Sequence, residues 1–130
     1  MSEDAQRKRI SALLKRVEAW KPAPILSRER DWSLERDVMQ ATLVHCKEQS
    51  WGGFKMYWVG DGVTNALCLT DRVEGVIQLI DERLTGTPIA LSRRQDGRWV
   101  AAVGRATAEH AYPHMAMLAA ALRELMAETV

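Results

Sequence analysis

The chain has 130 residues, 47% of them hydrophobic and 27% charged, and its 18 Lys and Arg nearly cancel its 17 Asp and Glu. A chain of this length can bury roughly two-thirds of the surface its unfolded state exposes, so residues 1–130 read as a single domain that needs no disulfide or metal staple. The near-neutral balance supplies no global field to hold the chain on nucleic acid or an anionic membrane. The two cysteines, Cys46 and Cys68, cannot build a disulfide framework. No apolar run approaches the ~18 residues of a spanning helix. Met1 to Arg9 lacks the apolar core of a signal peptide, so the expectation is a cytoplasmic protein with no membrane partner.

Ile10, Leu13, Leu14 and Val17 repeat at helical spacing and predict a first helix that ends before Lys21 and Pro22. A second helix is expected to begin near Asp31 or Ser33, to bury Leu34, Val38, Met39, Thr42 and Cys46, and to end by Ser50, Trp51, Gly52 and Gly53. Two strands, Phe54–Val59 and Val63–Leu69, then flank Gly60-Asp61-Gly62, and Asp61-Gly62 suits a two-residue hairpin turn. A third helix opens at Thr70 or Asp71, with Glu74 as a capping-box partner, and closes at Thr85-Gly86-Thr87-Pro88, where Gly86 can take the left-handed cap. Its buried face is Val73, Val76, Ile77, Ile80 and Leu84. Asp96-Gly97 sits between Ile89–Arg94 and Trp99–Val103 and predicts a second two-residue hairpin. On that register Ile89, Leu91, Val100 and Ala102 line one side, and Ala90, Ser92, Trp99, Ala101 and Val103 the other. Pro113 opens a last helix that turns Met117, Leu118, Ala121, Leu122 and Leu125 inward.

The expected fold is therefore α+β with the order ααββαββα: a four-stranded, mainly antiparallel sheet built from two hairpins. Both sides of the second hairpin are too apolar to be left wet, so helices are expected on both faces as an α/β/α sandwich. Three stretches, Ile10 to Ala19, Leu69 to Ile80 and Glu109 to Glu124, resemble the phage ABA sandwich domain family, with Pro113 to Arg123 the most specific part. The family's usual Thr before that proline is Tyr112 here, and Trp51 to Val63 has no counterpart. The resemblance implies a sheet between helical layers and a phage or prophage origin. The family has no assigned activity, so the resemblance transfers no catalytic residue.

Candidate chemistry is thin. His110 and His114 are four residues apart beside Glu109, but Pro113 marks a helix start and leaves His110 in the preceding loop, so they read as ordinary polar residues and no metal site is assigned. His45 and Cys46 lie beside the second helix's apolar stripe and read as a boundary histidine and a buried thiol, since a reactive thiolate needs an accessible, electropositive setting. No phosphate-binding loop, nucleophile elbow or paired-carboxylate pattern occurs, and no cofactor is implied.

What stands out is an arginine and tryptophan cluster: Arg93, Arg94, Arg98 and Trp99 surround the second hairpin turn, and the two-residue register pairs Arg94 with Trp99. One reading is a hairpin tip whose arginines keep a sheet edge soluble. The other is a docking patch, because Arg and Trp are enriched at interface hot spots and on surfaces that stack bases. Of the five tryptophans, Trp20 beside the proline linker and Trp32 at a helix start are the ones expected to be partly exposed, packing across the linker or meeting a partner. Three function classes follow. The first is a non-enzymatic phage or prophage accessory protein that binds a host or phage protein. The second is a nucleic-acid-binding module, since the final helix, hairpin, helix order superficially resembles the double-stranded-RNA-binding domain, disfavoured because that domain's third strand is not expected here and the last helix opens Tyr112-Pro113-His114 rather than with lysines. The third is an enzyme with a site around His45, Cys46 or the His110 and His114 pair.

Overall fold

A computed structural model describes residues 3–21, 32–42, 47–51, 54–59, 62–65 and 73–128. In chain order the elements are α1 (Glu3–Glu18), α2 (Trp32–Thr42), β1 (Lys47–Trp51), β2 (Phe54–Val59), β3 (Gly62–Asn65), α3 (Val73–Arg83), β4 (Ile89–Arg93), β5 (Trp99–Val103), β6 (Ala106–His110) and α4 (Pro113–Glu128). The class is α+β. Instead of one four-stranded sheet there are two antiparallel three-stranded meanders, β1-β2-β3 and β4-β5-β6. A helix followed by a meander thus occurs twice, where a helix followed by a hairpin was expected, and β6 supplies between β5 and α4 the third strand whose expected absence had counted against the RNA-binding resemblance.

Each additional strand has a local cause. The second helix is described to Thr42 and has given way to a strand by Lys47, where it was expected to run on toward Ser50; Lys47–Trp51 pairs with β2, with Trp51 opposite Phe54. A Gly-Gly pair between strands is as much a hairpin signal as a helix stop. The β2–β3 register places Val59 opposite Gly62, one residue earlier along the turn than an Asp61-Gly62 loop requires. Cys46 and Ala66 to Thr70, including the end of the expected third strand, lie outside the described residues, as do His45, Cys68, Asp31 and Asp71. The third strand of the second meander follows Gly104, whose φ of 61° fits the first position of a two-residue turn between the paired Val103 and Ala106. Ala106-Thr107-Ala108-Glu109-His110 has little β-branched or aromatic content, so propensity gives no hint of this strand.

The core gathers around α4. Met115 to Leu122 are all buried, as is Leu125, because the helix is packed on one side by β5 and β6 and on others by α1 and α3. Ala116, Ala119, Ala120 and Ala121 let those neighbours approach closely on several sides, which a wider side chain would prevent. From α1 come Ile10, Leu13, Leu14 and Val17, from α2 Leu34, Val38 and Met39, and from α3 Val76, Leu79, Ile80 and Leu84. Helical spacing singled out these residues of α1 and α2, and in α3 Val76, Ile80 and Leu84; there Leu79 is buried instead of Val73 and Ile77, which are half-buried. Gly75 is buried on α3, which packs against α4. α3 ends as expected, with Gly86 at φ 78° and the Thr87 N–H donating to the Leu84 carbonyl at 3.0 Å. Across α1 and α2, Arg16 donates to Asp37 at 2.7 Å. Burial would raise the Asp37 carboxyl, but hydrogen bonds and positive charge from Arg16 and Arg36 outweigh it and hold it below the ordinary carboxylate range.

The second sheet is one-sided among the described residues. Ala101, Val103, Ala108 and His110 are buried on the face that meets α4, with Ile89, Leu91 and Trp99 half-buried beside them, whereas Ala90, Ser92, Thr107 and Glu109 on the other face are exposed. Helices on both faces were expected. The described helices pack this sheet through α4, on one. No helix among the described residues is long and apolar enough to cross a membrane.

Candidate binding site

The β4–β5 hairpin turns one residue differently from expectation. Arg93 pairs with Trp99, the Arg94 N–H donates to the Arg98 carbonyl at 2.7 Å, and the Gly97 N–H donates to the Arg94 carbonyl at 3.0 Å. Gly97 has φ 88°, and no other residue of the turn has positive φ. This is a three-residue Gln95-Asp96-Gly97 loop, a type I turn followed by a left-handed glycine, not the type I′ turn that Asp-Gly suggested. Asp96 selects it: its Oδ1 accepts the Arg98 N–H at 3.0 Å and fixes the turn from within.

A one-residue change of register moves side chains to the opposite face. Ile89, Leu91 and Trp99 therefore join Ala101 and Val103 on the inner face, which corrects the two sets expected from sequence. The Arg94 and Trp99 pairing is likewise replaced. Arg93 lies over the Trp99 ring, 5.7 Å from its centroid, and Arg94 projects to the outer face, 2.6 Å from Glu109 and 3.7 Å from Asp96. Arg98 shares that face, with its Nε 3.8 Å from the same Glu109 oxygen. The four residues do gather at one hairpin tip, but as two units: a guanidinium–indole stack at the inner edge and two arginines around one carboxylate on the outside. Glu109 gave no sequence signal, because its role depends on the unforeseen β6.

Beside the tip lies a cleft of about 480 Å³ between the end of α1 and the β6–α4 connection, lined by Glu18, Trp20, Lys21, Arg98, His110 and Tyr112 among others. Trp20 is half-buried and held by two rings, edge-on to Tyr112 at 5.4 Å and to His114 at 5.5 Å. It is partly exposed, as expected, but it packs on the β6–α4 connection and the start of α4, and the proline linker it was expected to pack across lies outside the described residues. The side chain of Trp32 lies outside the described residues.

His110 is the last residue of β6, buried at 5% exposure. Its Nε2 is 3.0 Å from the Val17 carbonyl, which can only accept, and its Nδ1 accepts the Tyr112 N–H at 3.1 Å. These partners fix the neutral tautomer with the proton on Nε2. Burial holds the imidazole below its ordinary titration range and Arg98 lowers it further, opposed by the Val17 carbonyl and Glu18. Both nitrogens are thus engaged with backbone, tying the end of α1 to the start of the β6–α4 loop. Among the described residues no cluster of three or more His, Cys, Asp or Glu could hold a metal ion.

On the far side of β6, Arg123 of α4 donates to the Thr107 carbonyl at 2.6 Å and pairs with Glu18 at 3.2 Å. Glu124 accepts the N–H groups of Arg105 and Ala106 at 3.1 and 3.2 Å, clamping the β5–β6 turn. Comparison of the chain with models of known protein families, with curated proteins and with solved structures finds no match.

Proposed function

We propose that the chain is a small non-enzymatic accessory protein of phage or prophage origin, acting in the host cytoplasm by binding a host or phage protein through the β4–β5 hairpin tip. The phage origin and the α/β/α layering stand on the resemblance of Ile10 to Ala19, Leu69 to Ile80 and Pro113 to Arg123, and belong to the same proposal. The observation that carries the binding reading is the stacking of Arg93 over Trp99 at 5.7 Å, on a hairpin whose short turn is fixed by Asp96 and Gly97. A preordered Arg and aromatic pair on a rigid support loses little side-chain freedom on association, which favours protein interfaces. The outer arginines support the same reading over a nucleic-acid one. Arg94 is already engaged by Glu109 at 2.6 Å, so a phosphate would have to compete with a carboxylate for it. His110 supports a structural rather than a catalytic role, since both of its ring nitrogens are held by backbone groups.

The test is capture from a host lysate with the tagged chain, with and without nuclease, alongside the folded Arg93→Ala/Arg94→Ala variant. The expected result is a protein retained after nuclease treatment by the native chain and not by the variant. Retention that vanishes with nuclease, or that is equal for both chains, contradicts the proposal.

A further inference from the structure

We propose that the cleft between α1 and the β6–α4 connection is a binding site for a planar aromatic ring bearing a carboxylate. Trp20 and Tyr112 provide apolar walls. Both are half-buried, so each keeps ring surface toward the opening, and the two perpendicular contacts of Trp20, 85° to Tyr112 and 79° to His114, fix its indole before any ligand arrives. The volume of about 480 Å³ suits a one- or two-ring ligand.

The charges around the walls are unequal. Glu18, the one acidic side chain lining the cleft among the described residues, is paired outward with Arg123 at 3.2 Å. Lys21 and Arg98 remain to face the opening, and the contact of Arg98 with Glu109 is long, 3.8 Å through Nε, with half of its side chain exposed. The planar guanidinium fork matches a carboxylate in a way the Lys21 ammonium does not. The floor adds no competing charge: His110 is the neutral tautomer, its Nε2 proton committed to Val17 and its Nδ1 to the Tyr112 N–H. Charges of both signs reach that floor, since burial is the main cause of the lowered titration of His110, Arg98 adds to it and Glu18 opposes it. The site shares Arg98 with the hairpin tip, but Arg93 and Arg94 do not line it.

The experiment uses the intact chain and 2-naphthoate as probe, followed by amide and imidazole NMR shifts, with 2-naphthylmethanol as the uncharged control. Saturable shifts should converge on Lys21, Ala111 and Tyr112, and the alcohol should bind at least tenfold more weakly. Arg98→Ala, at an exposed position, should weaken 2-naphthoate at least tenfold and leave the alcohol unchanged. Scattered or non-saturable shifts, equal binding of acid and alcohol, or full affinity in Arg98→Ala would each overturn the proposal.

Discussion

Replacing Gly104 with Ala separates two costs that usually travel together. At φ 61° an L side chain meets backbone strain of about 1–2 kcal/mol, partly offset by the ~0.4–1 kcal/mol that Gly→Ala gains from a less disordered unfolded chain. The added Cβ would also lie 2.8 Å from Cδ and Oε1 of Glu124. That carboxylate sits at the end of a flexible side chain, but it accepts the N–H groups of Arg105 and Ala106 at 3.1 and 3.2 Å, so moving it exchanges two charge-assisted hydrogen bonds for water. At an exposed turn the exchange costs ~1–2 kcal/mol rather than the full worth of the bonds. Gly104→Ala should therefore lose about 2–3 kcal/mol. Gly97→Ala, at φ 88° with nothing within 4 Å of its added Cβ, should lose only the strain, about 1 kcal/mol. Urea denaturation of both, and of Gly104→Ala in a Glu124→Ala background, decides the matter. Once Glu124 is gone, the cost at Gly104 should fall to that at Gly97. Equal costs at the two glycines, or no change of cost in the Glu124→Ala background, would refute the reasoning.

Three further outcomes are expected. Ile80 is 1% exposed in the core, so Ile80→Ala should lose ~2–5 kcal/mol in chemical denaturation, and a loss under about half a kilocalorie would mean that the helix buries another face. His110 titrates lower in the folded protein than in the unfolded chain, so below about pH 6.5 the unfolded state binds more protons. Stability should be fully present above that pH and fall as the pH drops toward the folded value, with a smaller fall in His110→Asn; urea midpoints at pH 7.5 and 5.5 measure both. Chelator should leave the melting temperature unchanged, and elemental analysis giving one metal per chain, lost in His110→Ala, would overturn that expectation.

Three helices were legible because each announces itself twice, through apolar spacing and through a terminator, whereas α2 was legible by its spacing alone, its expected end near Ser50 falling inside β1. Gly86 and Pro113 stand where the chain needs a left-handed cap and a first helical position, and Val76, Ile80, Leu118 and Leu122 point where 3.6-residue periodicity sends them. The strands were harder because their signals are shorter and mean more than one thing. Gly52-Gly53 ends a helix in one reading and joins two strands in the other. Asp96-Gly97 suits both a two-residue and a three-residue turn, and the choice rests on a side-chain bond from Asp96 that no propensity records. That single residue decided which arginine stacks on Trp99. The candidate site was legible as a neighbourhood, since all four named residues meet at the tip, but not as a set of contacts. Glu109, Arg123 and Glu124 could not be found from sequence because their partners are 15, 105 and 19 residues away. The Trp20, Tyr112 and His114 stack likewise joins the two ends of the chain and has no local signature.

The central claim is that the hairpin tip binds a protein, and the most direct measurement is calorimetric affinity of the captured partner for the native chain and for Arg93→Ala/Arg94→Ala at low and moderate salt. The account predicts a loss of about 2 kcal/mol or more in a variant whose circular dichroism is unchanged, with a shallow salt dependence for the native chain. Native affinity in the folded variant would contradict it, as would an affinity that collapses with salt as counterion release from nucleic acid requires.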